Sequence, residues 1–286
     1  MPEPRFHAPS TVEEAVRLLA ADEESRPLAG GQTLVAMLNA DLMSPSALVS
    51  LHRIEALRRI EAAADGALRI GAMTTHAALA RSQAFRGAHR LVAEAAGRIG
   101  HAAIRTMGTI GGAVAHADPS ADYPPALVAL GAAIEAVGPN GRREIPADAF
   151  FEGFLTTALE PREIVTAIVL PPEPPGARVH YEKFARVEGD FATISVALAL
   201  WQEGATPTRI QIALGGVGPK PVRVSDAESQ LLEGGCDDAS IEAAGAMLVE
   251  ASDPIDDVRA SAAFRRLLIP RLLRRTIRAA QAREAA

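Results

Sequence analysis

Cysteine is almost absent from this chain of 286 residues. Its single cysteine, Cys236, cannot form an internal disulfide, and alone it cannot supply the four protein ligands, usually thiolates, that an iron–sulfur cluster needs. Long apolar stretches are missing too, because the longest run, residues 126–130, is too short to cross a bilayer. Residues 1–7 lack the apolar core of a signal peptide, so we expect a cytoplasmic protein without a transmembrane segment.

Aromatic residues and lysines are scarce. Aromatics make up 4% of the chain, so Ala, Val, Leu and Ile must fill the core, and the only lysines are Lys183 and Lys220. The formal net charge of −6 argues against a nucleic-acid or anionic-membrane partner. The sequence contains neither a Gly-x-x-x-x-Gly-Lys-Ser/Thr loop nor a Gly-x-Ser-x-Gly elbow, which excludes P-loop and nucleophile-elbow chemistry.

Local signals divide the chain into helices and strands. Ser10 as N-cap and Glu13 three residues later form a capping box that predicts the first helix, and Thr75 is the expected cap of another. Further helices are expected over residues 91–99 and from residue 123 onward, and three more end the chain. Strands are expected over residues 48–51, 68–70, 134–137, 142–145, 164–170, 180–186, 192–201 and 208–214.

Residues 171–176 contain four prolines and a glycine, a composition that can continue neither a helix nor a central strand. We therefore place the main domain boundary there. A sheet followed by helices beyond this point indicates an α+β arrangement.

Two glycine-paired segments carry the strongest functional signal. One is Leu-Ala-Gly-Gly-Gln-Thr-Leu at residues 28–34, and the other is Gly-Thr-Ile-Gly-Gly at residues 108–112. A turn without Cβ atoms on its inner wall can approach a phosphate closely and point N–H groups at it. Either segment alone is equally well explained as a structural turn, but both together favour a diphosphate ligand held from two sides. The spacing does not identify the nucleotide.

Other signals are weaker. Residues 215–218 follow a strand and are glycine-rich, but the prolines after them favour a sheet-to-helix turn over a dinucleotide loop. His116 and Asp118 are two potential metal ligands without a third, so a hydrogen-bonded loop histidine is favoured. Asp122 is expected to cap the helix that follows it. Lys183 is either a functional cation on an apolar strand or a snorkelling one at a strand edge.

With these residues in view, the chain resembles the FAD-binding medium subunit of molybdenum hydroxylases, the family of carbon monoxide dehydrogenase and xanthine dehydrogenase. The resemblance spans essentially the full length and is most specific in the two glycine segments. It implies a two-subdomain FAD-binding domain of the PCMH, or vanillyl-alcohol-oxidase-like, type in residues 1–175, with subdomains of about 1–57 and 58–175. Residues 176–286 would then form the C-terminal medium-subunit domain, a small antiparallel sheet with a three-helix bundle.

The resemblance also implies FAD as the cofactor and a set of residues that bind it. In such subunits the two glycine segments wrap the diphosphate and ribityl chain, with Thr109 as a hydroxyl donor and Asp122 reaching the adenosine ribose. Ala113 replaces the family's usual Asn, which removes an amide contact unless Gln32 supplies it. The implied cofactor-binding residues are Leu28, Ala29, Gly30, Gly31, Gln32, Thr33, Leu34, Ile99, Gly100, Thr109, Gly111, Gly112, Ala113, Asp122, Val165, Lys183 and Phe191.

Within that set, Ile99 and Gly100 match positions near the adenine, while Val165, Lys183 and Phe191 match positions near the isoalloxazine. No catalytic or metal-binding residue is implied. The resemblance predicts an oxidoreductase subunit that takes electrons from [2Fe-2S] clusters of a small partner subunit, in a heterotrimer with a molybdenum-cofactor large subunit. A stand-alone FAD-dependent reductase of the same fold, and a scaffold whose glycine segments are purely structural, remain as alternatives.

Overall fold

The structure is a computed structural model that describes residues 3–283. Its strands are β1 (Arg5–His7), β2 (Arg26–Leu28), β3 (Ala47–Ser50), β4 (Ile60–Ala62), β5 (Leu68–Gly71), β6 (Ala133–Gly138), β7 (Gly141–Pro146), β8 (Phe151–Gly153), β9 (Thr156–Thr157), β10 (Ile164–Leu170), β11 (Arg178–Phe184), β12 (Ile194–Glu203) and β13 (Thr206–Gly215). Its helices are α1 (Val12–Ala20), α2 (Leu34–Asn39), α3 (His76–Arg81), α4 (Arg90–Arg98), α5 (Ala102–Met107), α6 (Ile110–His116), α7 (Tyr123–Ala129), α8 (Ala147–Phe150), α9 (Ser225–Glu233), α10 (Asp238–Glu250) and α11 (Ala262–Gln281).

The amino-terminal unit is a parallel sheet in the order β1-β3-β2 with α1 packed on it. The capping box of α1 lies one residue later than the sequence predicts. Thr11, not Ser10, is the N-cap, and its side chain accepts a hydrogen bond from the Glu14 amide at 3.2 Å. The carboxylate of Glu14, rather than that of Glu13, accepts from the Ser10 amide at 3.0 Å.

The second unit is an antiparallel sheet in the order β4-β5-β10-β6-β7, covered by helices that include α4 and α7. Strand β10 has the bounds that the sequence predicts, and the Pro-Asn-Gly turn at residues 139–141 joins β6 to β7 as expected. Thr75 caps α3 through a hydrogen bond from the Ala78 amide. These elements depend on short-range signals, which explains why the structure agrees with the predictions made from the sequence.

The carboxyl-terminal unit is an antiparallel sheet, β11-β12-β13, followed by α9, α10 and α11. Alternate residues of β12 face opposite sides: Val196 and Leu198 belong to the core with the three helices, whereas Ala197 and Ala199 belong to the core with α4 and α7. The apolar core therefore continues across the proline-rich segment. The α+β class is confirmed, and the domain limits of 1–175 and 176–286 stay predictions.

Residues 215–218 form the sheet-to-helix turn that the prolines predict. Strand β13 ends at Gly215, Gly216 takes a φ of +74°, and α9 begins only at Ser225. Among the residues that the structure describes, no helix is both long and apolar enough to cross a membrane.

Candidate functional site

A cavity of about 390 Å³ is lined by residues of both the amino-terminal unit and the second unit. The two glycine segments meet on its wall, as the sequence predicts. The predicted cofactor-binding residues that line it are Ala29, Gly30, Gly31, Gln32, Thr33, Leu34, Thr109, Gly111, Gly112, Ala113 and Val165.

The first glycine segment is an open turn between β2 and α2. Gly31 has a φ of +73°, a left-handed conformation that favours glycine. A Cβ on Gly30 would lie 2.2 Å from the Met107 carbonyl oxygen, so this glycine lets the two segments touch. Within residues 3–283, the amides of Gly30, Gly31, Gln32 and Thr33 donate to no acceptor of the chain. The segment therefore presents a row of N–H groups free to bind an anion.

The second glycine segment is not the turn that the sequence predicts, because Gly111 and Gly112 lie in the first turn of α6. The Thr109 hydroxyl caps this helix by accepting from the Gly112 amide at 3.2 Å, rather than acting only as a donor. The Gly111 amide donates to the Ala72 carbonyl at 2.8 Å. A Cβ on Gly111 would lie 2.4 Å from the Ala72 Cβ, so this glycine is needed for packing behind the cavity.

Six predicted residues do not line this cavity: Leu28, Ile99, Gly100, Asp122, Lys183 and Phe191. Two of them form a buried ion pair, in which Lys183 Nζ lies 3.0 Å from Asp122 Oδ2. The Tyr181 hydroxyl donates to the other carboxylate oxygen at 2.8 Å. The sequence analysis missed Tyr181, although it stands two residues before Lys183 on the same strand.

This buried cluster replaces two simpler expectations. Asp122 makes no side-chain cap to α7, and Lys183 is 8% exposed rather than snorkelling from its edge strand. Burial raises the pKa of Asp122, and this effect outweighs the lowering by Lys183 and Tyr181. Burial and the charge of Asp122 likewise hold the pKa of Tyr181 well above its ordinary value, so the phenol stays protonated.

Ile99 and Gly100 lie close to this cluster. The Lys183 ammonium also donates to the carbonyl of Arg98, the residue before Ile99, at 3.0 Å. Arg105 donates to the carbonyls of Ile99 and Gly100 at 3.0 and 2.7 Å. Of the six predicted residues outside the cavity, Ile99, Gly100, Asp122 and Lys183 thus form a second group.

Phe191 and His116 lie outside this second group. Phe191 is 43% exposed, with the Arg259 guanidinium 5.3 Å from its ring centroid. His116 is not a loop residue, because it is the last residue of α6, and it lines the cavity. Another lining residue that the sequence missed is His76, the first residue of α3.

The cavity combines free backbone N–H groups, Cβ-free walls and a partly apolar lining that includes Val165 and Ile164. These features fit a dinucleotide cofactor with a diphosphate, in which the amides bind phosphoryl oxygens and the apolar side chains contact a ring system. The fold and the site thus define a dinucleotide-binding domain joined to a sheet-and-helix domain.

Comparisons with known proteins show which family of this class the chain belongs to. Residues 2–173 match the family model for the FAD binding domain in molybdopterin dehydrogenase, and residues 179–280 match that of the CO dehydrogenase flavoprotein C-terminal domain. The nicotine 6-hydroxylase medium subunit of Paenarthrobacter nicotinovorans is 36% identical over 99% of both chains. The carbon monoxide dehydrogenase medium chain of Hydrogenophaga pseudoflava is 36% identical over 98% of both.

A solved structure agrees over the same length. The crystal structure of the Cu,Mo-CO dehydrogenase in its cyanide-inactivated form contains a chain that matches with a TM-score of 0.94 at 35% identity, over 98% of both chains. The chain belongs to the family of FAD-binding medium subunits of molybdenum hydroxylases. It is an oxidoreductase subunit, and its cofactor is FAD.

Proposed function

We propose that the chain is the electron-transfer subunit of a molybdenum hydroxylase complex. In this role it receives electrons from [2Fe-2S] clusters on a small partner subunit and passes them to an external acceptor. The observation that carries the proposal is the lone Cys236, which is buried and whose pKa burial raises to about 11. One such thiol cannot by itself hold a cluster, which supports clusters that lie on another subunit.

Bound FAD would supply the redox chemistry, exchanging electrons with one-electron and two-electron partners. The chain's own residues bind and orient it. The free amides of Gly30, Gly31, Gln32 and Thr33 would hold the diphosphate, and Val165 would help to exclude water beside the ring. The carbonyls of Ile99 and Gly100 and the side chains of Asp122 and Lys183 are bonded within the chain, so the cofactor contacts that the family resemblance implies for these residues stay predictions.

An exposed apolar surface near the cavity supports a multi-subunit complex. Helix α2 is rich in apolar residues, yet none of its residues is buried. Val35, Leu42 and Met107 are 42%, 71% and 55% exposed, and Met107 lies against Gly30 on the cavity wall. Exposed apolar residues that recur around one site are typical of a surface covered by another subunit. We propose that the iron–sulfur subunit covers it, in a heterotrimer with a molybdenum-cofactor large subunit.

The cytoplasmic location stays a prediction.

The test is an electron-transfer measurement between separate subunits. The full chain is loaded with FAD, and the iron–sulfur subunit of its complex, already reduced and freed of excess reductant, is added without oxygen. We expect the visible flavin absorbance to bleach, and Leu42→Asp, which places a charge in the exposed surface, to slow this bleaching. A flavin that the reduced subunit leaves unchanged but that NADH or NADPH bleaches directly would contradict the proposal and favour the stand-alone reductase.

A further inference from the structure

His76 lies where the two glycine segments meet. Its amide donates to the Gly108 carbonyl at 3.0 Å, and its ring occupies the space that the missing side chain of Gly108 leaves. A Cβ on Gly108 would lie 2.6 Å from His76 Nε2 and 2.8 Å from His76 Cδ2. A Cβ on Gly30 would in turn lie 2.8 Å from the Cα of Gly108. Because His76 and Gly108 both line the cavity, the Nε2 edge of the imidazole is the edge on the cavity side.

The opposite edge of the ring is bound in the interior. His76 Nδ1 lies 2.8 Å from the hydroxyl oxygen of Tyr123, whose side chain is completely buried at the start of α7. The two ring centroids are 5.4 Å apart with an interplanar angle of 49°. Within residues 3–283, Nδ1 is the hydrogen-bond partner that the structure gives the Tyr123 hydroxyl.

This pairing fixes the tautomer of His76. Burial and the charge of Asp122 raise the pKa of Tyr123 well above its ordinary value, so the phenol keeps its proton. A buried phenol proton needs an acceptor, and Nδ1 is the available one. Since Nδ1 accepts, the neutral imidazole carries its hydrogen on Nε2.

His76 also stays neutral. Burial, helped by the positive charge of Arg105, lowers the pKa of His76 to about 4. The ring is thus a fixed, uncharged donor whose N–H is on the cavity side. A neutral donor binds a phosphoryl oxygen without the loss of hydration that a buried imidazolium would cost.

We propose that His76 is a further cofactor-binding residue, whose Nε2–H donates to a phosphoryl oxygen of the diphosphate at the junction of the two glycine segments. Tyr123 is its positioning residue, because it acts only by holding the tautomer. The inference rests on the proposed FAD site and adds a side-chain donor to a cradle otherwise made of backbone amides.

The test combines tautomer and affinity measurements on the full chain labelled with ¹⁵N-histidine. Long-range ¹H–¹⁵N spectra distinguish the two tautomers, and the signal that His76→Gln removes identifies His76 among the seven histidines. We expect the Nε2–H form without FAD and a shift of the Nε2 signal on adding FAD. His76→Leu is expected to weaken FAD binding roughly 10- to 100-fold, the usual range for a hydrogen bond to a charged group. His76→Gln, which keeps an N–H donor, should recover most of the affinity.

Tyr123→Phe separates positioning from packing, since it keeps the ring and removes the hydroxyl. We expect Nδ1–H to appear in the spectrum, FAD binding to weaken several-fold and the melting temperature to fall modestly, because the buried Nδ1 loses its partner. An Nδ1–H tautomer in the unaltered chain, or equal FAD affinity in His76→Leu, would overturn the inference. The spectrum without FAD is independent of electron transfer, and the affinities need no partner subunit. Failure here therefore differs from failure of the proposed function, which would leave these results intact.

Discussion

The two segments share the Gly-Gly dipeptide, but the two pairs have different roles. Gly30 and Gly31 lie in an open turn whose amides are free, whereas Gly111 and Gly112 begin a helix whose amides are bonded to Ala72 and Thr109. The first pair therefore offers donors to a ligand. The second pair lets α6 pack against Ala72 at the cavity. A Gly-Gly dipeptide thus indicates a close approach without indicating what approaches.

The largest effect expected from this difference is that of Gly111→Val on stability. The new side chain would point at Ala72, not into the cavity, so it should not act by blocking the cofactor. We expect a loss of about 3 kcal/mol in the free energy of unfolding, typical of overpacking in a tight core. Urea denaturation of the protein without FAD measures it. Ala115→Val, on the exposed side of the same helix, should change stability by only about 0.5 kcal/mol. Equal losses in the two variants would contradict the packing role.

Acid should lower the free energy of unfolding through His76, which packs against Gly108 of the second glycine segment. The folded-state pKa lies near 4, below the ordinary value of 6.5, so the unfolded chain binds this proton more readily. This contribution to stability is complete above pH 6.5 and is lost as the pH falls toward 4, by up to about 3 kcal/mol. The measurement compares urea denaturation of the unaltered chain and His76→Gln above pH 6.5 and near pH 4. The difference between the two proteins should change with pH by this amount, and a constant difference would show that His76 is not held neutral.

Gly31→Ala tests the first segment, where the expected loss is smaller and concerns the ligand. The φ of +73° should cost an L-residue roughly 1–2 kcal/mol, and the relief of that strain would turn the free amides away. Gly204→Ala is the matched control, because Gly204 has a φ of +62° with open space around it in the β12–β13 turn. Both variants should lose similar stability, but only Gly31→Ala should lower FAD affinity, by about tenfold for 1.4 kcal/mol. Equal FAD affinity in both variants would show that the first segment is only a structural turn.

What the sequence predicts well in this molecule is local. The bounds of β10, the turn at residues 139–141 and the cap at Thr75 depend on neighbours within a few residues. The contacts that complete the site are long-range. His76 meets Tyr123 across 47 positions, and Lys183 meets Asp122 across 61. No periodicity or spacing rule identifies such pairs. The sequence analysis therefore did not single out His76 and expected Asp122 only to cap a helix.

The smallest expected effect concerns Ala113, the position at which the family resemblance implies an Asn. Ala113 lines the cavity in α6, and the exposed Gln32 lines it from the first segment, with only a long 3.4 Å hydrogen bond from its side-chain amide to the Gly30 carbonyl. We expect Ala113→Asn to tighten FAD binding several-fold, the effect of one hydrogen bond of about 1 kcal/mol, while Asn lowers helix stability slightly. Ala113→Leu adds bulk without a donor and should not tighten binding. If Gln32 now supplies the missing amide, Gln32→Ala should weaken FAD binding in the unaltered chain. The same substitution made together with Ala113→Asn should not weaken it. Equal weakening in both backgrounds would show that the two amides do not replace one another, because independent contacts add.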